Sequence, residues 1–243
     1  MAVLSFGRVA VGWGEAVSCG QCAPASLSGT AAAGYRPAEE IIAELIAARS
    51  VDLSAGVLFT GLEPLAHPAL PRIISAATDA GVERIGISTS AALFIAGGNA
   101  TGAIGAGVRV IEIPLLGPDA ATHDAYAGQK GAFEASRAGV GRFRDAAEET
   151  EVRVAVRGRV DVCAHTTPIL PQVIVTFASW GAASVELRVR GSLPRSAIEQ
   201  VHAACETGMV NGVWVAVAAL DTEFLGKGAL HGTDVMSFTE VVR

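Results

Sequence analysis

The chain has 243 residues, 18 basic against 24 acidic side chains, 51% apolar residues and only 5% aromatics. A net charge of −6 with no basic face argues against a nucleic-acid partner, and four cysteines in this length do not make a disulfide scaffold. Mean hydropathy is +0.43, yet the uncharged stretch 85–108 contains six glycines and five hydroxyl or amide side chains, which suits a strand end, a glycine-rich loop and a short helix better than a bilayer span. The first residues hold Arg8 and no long apolar run, so no signal peptide is expected and the location is read as cytoplasmic.

In chain order, Arg8 to Trp13 reads as a first strand. Pro37 to Arg49 has helical spacing, with Ile41, Ile42, Leu45 and Ile46 on one face and a proline in the first turn. Gly56 to Thr60 is a second strand, Pro68 to Ala80 a helix closed by Gly81, and Glu83 to Ser88 a third strand. Val108 to Leu115 is a fourth strand, Phe133 to Glu149 a helix, and Glu151 to Val160 a fifth strand. Pro171 to Trp180 is a helix closed by Gly181, Ser184 to Val189 a sixth strand, Pro194 to Glu206 a helix and Gly212 to Val217 a last strand. Residues 220–243 are the least regular part and are read as a cap on one end.

Strands separated by helices imply βαβ units and a parallel sheet. The expectation is one α/β domain over residues 1–243, a partial (β/α)6-type TIM-like barrel with parallel strands. Ligands of such sheets bind at the carboxyl ends of the strands. Cys19 and Cys22, a Cys-x2-Cys pair in a Gly/Ser-rich loop, follow the first strand, and Gly61-Leu62-Glu63-Pro64 follows the second.

This arrangement resembles the radical SAM superfamily, in which the loop after strand one carries Cys-x3-Cys-x2-Cys and strand two ends in Gly-Gly-Glu-Pro. The run from Gly81 to Ser90 is similar to the family's third strand and the turn that ends it. Ile111 to Gly117 is similar to its fourth strand, and His123-Asp124, Gly128 and Gly131 to Glu134 to its run into helix four. Arg157 and Arg188 fall in segments similar to strands five and six, and the likeness covers residues 8 to 217. The resemblance implies a [4Fe–4S] cluster that binds S-adenosylmethionine. It carries Cys19 and Cys22 over as metal ligands, Gly61, Leu62, Glu63 and Pro64 to the adenosyl ligand's amino group, and Ser88 and Ser90 to its ribose. Arg157 joins them as a cofactor-binding candidate, as a cation that meets a carboxylate inside the barrel.

The motif also departs from the family. Residue 15, where the first cysteine belongs, is Glu15; Gln21 replaces the aromatic before the last cysteine, and Leu62 the second glycine. Either Glu15 supplies a harder oxygen ligand to the cluster, or no catalytic cluster forms and the barrel binds a ligand or a protein. Zinc on Cys19 and Cys22 is a third option, without a second pair of ligands at structural-site spacing.

Other polar residues have plainer readings. Cys163 and Cys205 read as inert core thiols, although Cys163 and His165 lie past strand five on the ligand side. His123 and Asp124 read as caps of the helix near them, and His67 as an exposed or locally bonded turn residue. Glu112 and Glu186 sit on strands where an inward carboxylate needs a partner. The glycines at 97–98 and 105–107 lack the lysine of a phosphate loop. Two functions follow. The first is a radical SAM-like enzyme with an unusually ligated cluster, acting on a small molecule or a peptide. The alternative is an inactive barrel that serves as binding partner or accessory subunit of another enzyme.

Overall fold

Apolar residues alternate with small or polar ones along most of the strands, so each strand carries two different faces. A computed structural model of the chain describes residues 6–13, 34–48, 56–190, 194–220 and 235–236. Its strands are β1 (Gly7–Ala10), β2 (Val57–Thr60), β3 (Ile85–Ser88), β4 (Val108–Pro114), β5 (Ala155–Val162), β6 (Ser184–Arg190), β7 (Trp214–Leu220) and β8 (Val235–Met236). They form one sheet in sequential order; β1 to β7 are parallel, and β8 joins β7 antiparallel. The sheet curls into a half-barrel, the predicted partial TIM-like fold.

Seven α-helices cover its outside among the described residues: α1 (Ala38–Ala48), α2 (Leu70–Asp79), α3 (Asn99–Ala106), α4 (Ala120–Ala127), α5 (Ala132–Glu149), α6 (Leu170–Ser179) and α7 (Arg195–Val210). The outward strand residues Val9, Phe59, Ile87, Ile113, Val160 and Leu187 join Ile41, Leu45, Ile73, Phe143 and Phe177 in one continuous core. Full burial of each such side chain is worth about 1.5–3 kcal/mol. None of the described helices is long and apolar enough to cross a membrane.

The inner face differs. Phe6, Leu58 and Val110, with Ala155 against them, form a small apolar floor. Gly86 belongs to this floor, since a Cβ there would meet the Leu58 side chain at 2.8 Å and Val110 at 3.3 Å. Above the floor the inner positions turn polar. Register brings Ser88 beside Glu112, Glu112 beside Arg157, Arg159 beside Glu186 and Asp161 beside Arg188. The outer face of the sheet is thus apolar, and the inner face above the floor is charged.

Two details correct the sequence reading. Residues 120–127 form a helix of their own, capped by the Asp119 carboxylate on the Thr122 amide at 2.8 Å, so His123 and Asp124 lie inside it. Asp124 instead caps the next helix, accepting from the Gly131 amide at 2.5 Å and the Phe133 amide at 2.9 Å. These two bonds hold its carboxyl below the usual range. His123 caps nothing: it is fully buried, and its Nδ1 accepts the Leu116 amide at 3.1 Å. The two-residue β8 was not foreseen either, and most of the predicted cap at 220–243 lies outside the described residues.

Candidate functional site at the strand ends

The carboxyl ends of β1, β2 and β3 meet tightly. Gly61, just past β2, has φ +88°, and a Cβ there would collide with the Gly12 carbonyl oxygen. Only glycine serves both the left-handed backbone and the contact. Leu62 is half-buried and packs its side chain over Gly12. Gly12 also bridges to Tyr35, and the Trp13 amide donates to the Gly34 carbonyl at 3.1 Å, which ties residues 12–13 to residues 34–35.

Glu63 is firmly anchored in this rim. Its carboxylate accepts from Thr89 Oγ1 at 2.6 Å, from the Ser90 amide at 3.0 Å, from Ser90 Oγ at 3.0 Å and from the Leu65 amide at 3.3 Å. The last bond caps the 3₁₀ turn Pro64–Ala66. Its backbone carbonyl accepts the Tyr35 hydroxyl at 2.9 Å. Four neutral donors from two strand ends fix the carboxylate, and among the described residues no cation pairs with it. Glu63 and Ser90, expected to serve one ligand from two loops, are thus in direct contact. Thr89 and Tyr35 were not singled out, because no charge or motif marks them.

Ser88 and Arg157 belong to a different set. Ser88 Oγ donates to Glu112 Oε1 at 3.1 Å inside the barrel. Arg8 spans two carboxylates, reaching Glu112 at 3.1 and 2.9 Å and Glu186 at 2.8 Å. Arg188 also bonds both, at 2.7 Å to Glu186 and 3.2 Å to Glu112. Arg157 pairs with Glu112 at 3.5 Å and with Glu186 as well. The Glu112 carboxylate is fully buried, and burial alone would raise its pKa. The guanidiniums of Arg8, Arg188 and Arg157 outweigh this and hold it well below the usual carboxylate range. Burial lowers Arg157 to about 10, with Glu112 opposing and Arg8 and Arg188 adding to the fall. The two inward glutamates therefore have the partners that their burial demands.

On the far side of the mouth, Cys163 follows β5. Its sulphur lies 3.1 Å from His165 Nδ1, and the His165 ring stacks on Tyr126 with centroids 3.8 Å apart. Cys163 is half-buried and disulfide-bonded, which corrects its reading as an inert core thiol. Cys205 fits that reading: it is buried and free, and burial pushes its thiol up to about 11. His67 is buried rather than exposed, its Nδ1 accepting the Ala69 amide at 3.0 Å and its Nε2 donating to the Arg36 carbonyl at 3.0 Å.

The expected metal ligands Glu15, Cys19 and Cys22 lie outside the described residues. Among the described residues no three Cys, His, Asp or Glu side chains gather as a metal site. A surface groove of about 500 Å³ between α5 and α6, lined by Phe133, Arg137, Arg144 and Trp180, is formed by none of the mouth residues.

No protein-family model matches the chain. Over 100 residues it is 38% identical to the AdoMet-dependent heme synthase of Nitratidesulfovibrio vulgaris, covering 41% of this chain and 27% of that one. The enzyme of the same name from Oleidesulfovibrio alaskensis is 35% identical over 100 residues, 41% of this chain and 25% of that one. The chain thus spans about a quarter of the length of these relatives. Among solved structures, Streptococcus suis SuiB bound to S-adenosylmethionine matches with a TM-score of 0.63 at 12% identity, over 88% of this chain and 51% of that one. AdoMet-bound anSMEcpe matches at 0.57 and 13% identity, over 86% and 62%. The structures share the fold with this chain, and both sequence relatives are AdoMet-dependent enzymes by name.

Proposed function

We propose that the chain is a radical SAM-like enzyme that uses an unusually ligated [4Fe–4S] cluster and S-adenosylmethionine to modify a small molecule or a peptide. One observation carries this reading: the Glu63 carboxylate, tied by Thr89 and Ser90 across the ends of β2 and β3 and braced by the Gly61–Gly12 contact. These are the strand ends that the resemblance assigns to the adenosyl ligand. The donor chemistry fits. The resemblance assigns the amino group to the backbone of Gly61 to Glu63 and the ribose to the region of Ser90, whose hydroxyl donates to the Glu63 carboxylate at 3.0 Å. Cys19 and Cys22 provide two soft ligands for cluster iron, with Glu15 at the position of the missing third. A cluster bound there would supply the electron for reductive cleavage of the sulfonium of S-adenosylmethionine.

The chain's own residues do the positioning. Thr89 and Ser90 keep Glu63 from turning into the mouth, so the loop 61–64 meets its ligand as a rigid edge. Arg157, placed in the barrel by its glutamate pairs, is the cation nearest in kind to a ligand carboxylate. SuiB has been solved bound to its precursor peptide SuiA, which supports a peptide as one substrate class.

One observation favours the alternative of an accessory barrel. Arg8, Arg157, Arg188, Glu112 and Glu186 pair with one another and fill the inner layer. The experiment that decides is anaerobic reconstitution with iron and sulfide, followed by dithionite and S-adenosylmethionine. The enzyme reading expects bound iron and sulfide and release of 5′-deoxyadenosine, reduced by Glu63→Ala. A colourless chain that releases none, and co-purifies with another enzyme, supports the accessory reading.

A further inference from the structure

Glu63 is saturated as an acceptor. Each carboxylate oxygen takes two donors: Oε1 takes Thr89 Oγ1 and the Leu65 amide, and Oε2 takes the Ser90 amide and Ser90 Oγ. A carboxylate has about four lone-pair sites, so its sides are filled. The backbone carbonyl of Glu63 also takes two donors, the Ala66 amide at 3.0 Å and the Tyr35 hydroxyl at 2.9 Å, one for each lone pair of its oxygen. The backbone of this loop is where the resemblance places the amino group of an adenosyl ligand. An ammonium only donates, so it reaches the Glu63 carbonyl after one of those two donors has left.

The two differ in what their departure costs. The Ala66 amide closes the 3₁₀ turn Pro64–Ala66, so its release unwinds the turn. Tyr35 is 36% exposed, and water replaces its hydroxyl bond at little cost. The residue is otherwise held at the rim. Its backbone bridges to Gly12, and its ring meets the edge of His67 with centroids 5.1 Å apart. His67 is itself fixed by the Arg36 carbonyl and the Ala69 amide. Burial and the Glu63 charge raise the phenol's pKa, so the hydroxyl keeps its proton and donates at neutral pH.

Resting on the radical SAM reading above, we propose that Tyr35 is a latch on the amino-group position: its hydroxyl holds the Glu63 carbonyl until the ligand's ammonium displaces it. The exchange is favoured because an ammonium forms a charge-assisted bond, about twice as strong as the neutral bond of a phenol. Tyr35 thus subtracts from the affinity for an adenosyl ligand, whereas a residue that only shaped the loop would add to it.

The test compares the parent with Tyr35→Phe. Both are reconstituted anaerobically with ferrous iron and sulfide, kept oxidised, and titrated by calorimetry with S-adenosylmethionine and with its analogue lacking the amino group. Thermal unfolding of each chain reports folding separately. Removing the competing hydrogen bond should tighten S-adenosylmethionine binding about two- to tenfold and leave the deamino analogue unchanged. Unchanged or weaker binding of S-adenosylmethionine by the folded variant overturns the latch, and so does equal tightening of both ligands, which would come from a looser loop. Either result leaves the radical SAM reading standing. If neither chain binds S-adenosylmethionine, the latch and that reading are both overturned.

Discussion

Two carboxylates of this barrel are held in opposite ways. Glu112 is fully buried and ringed by Arg8, Arg157 and Arg188. Glu63 is half-exposed at the mouth and is held by hydroxyls and backbone amides. The first arrangement answers the cost of placing charge in the interior, so it serves the fold. The second leaves the carboxylate rim open to solvent while fixing the loop's shape, as the proposed ligand site requires. The contrast separates residues whose loss unfolds the chain from residues whose loss should empty the site.

The largest expected effect comes from breaking the buried set. Glu112→Ala leaves three guanidiniums short of a partner and should cost about 3–5 kcal/mol, read by urea denaturation. The pH dependence has a defined sign. Because the folded pKa of Glu112 is depressed, its contribution is fully present above the unfolded carboxylate value of about 4.3 and is lost as pH falls from there toward the lower folded value. The parent should therefore lose more stability between neutral and acid pH than Glu112→Gln, which has no such group to protonate. Equal losses would show that the arginine ring does not hold the carboxylate ionised.

Next in size is Gly61→Ala. The left-handed backbone costs a residue with a Cβ about 1–3 kcal/mol, and the Gly12 carbonyl blocks the added atom. Thermal unfolding should show the loss. If it does not, the close approach of the first two strand ends is softer than the geometry suggests.

The sequence made the outer half of this molecule readable and the inner half less so. Apolar alternation and proline and glycine punctuation located the seven parallel strands near their observed bounds, because those signals are local. They did not separate α4 from α5, since Asp124 is a capping residue that could serve either helix, and the choice depends on where Gly131 and Phe133 come to lie. The Gly61–Pro64 loop was legible as a motif. Its attachment to Thr89 was not, because a threonine at a strand end carries no distinguishing pattern until the two strands are side by side. The arginine ring was legible only in part: Glu112 and Glu186 signalled a need for cations, and Arg157 was named, but nothing local points from Arg8 to a glutamate on β4.

The smallest effects sharpen the Glu63 side of the contrast. Thr89 is fully buried, and its Oγ1 both donates to Glu63 and accepts the Ala91 amide at 2.9 Å. Thr89→Val keeps the shape but leaves a buried amide and a carboxylate oxygen each without that partner, which should cost about 1–3 kcal/mol. Ser90→Ala removes one hydroxyl bond to Glu63 but keeps the Ser90 backbone amide on the same carboxylate oxygen. Its position at the rim also lets water replace the hydroxyl, so the cost should be about 0.5–1 kcal/mol. If the loop serves an adenosyl ligand, both variants should weaken its binding by calorimetry, and Thr89→Val more, because it alone frees the Oε1 side of the carboxylate from β3. A Ser90→Ala variant that is the worse binder of the two would place the recognition on the hydroxyl itself and not on the shape it maintains.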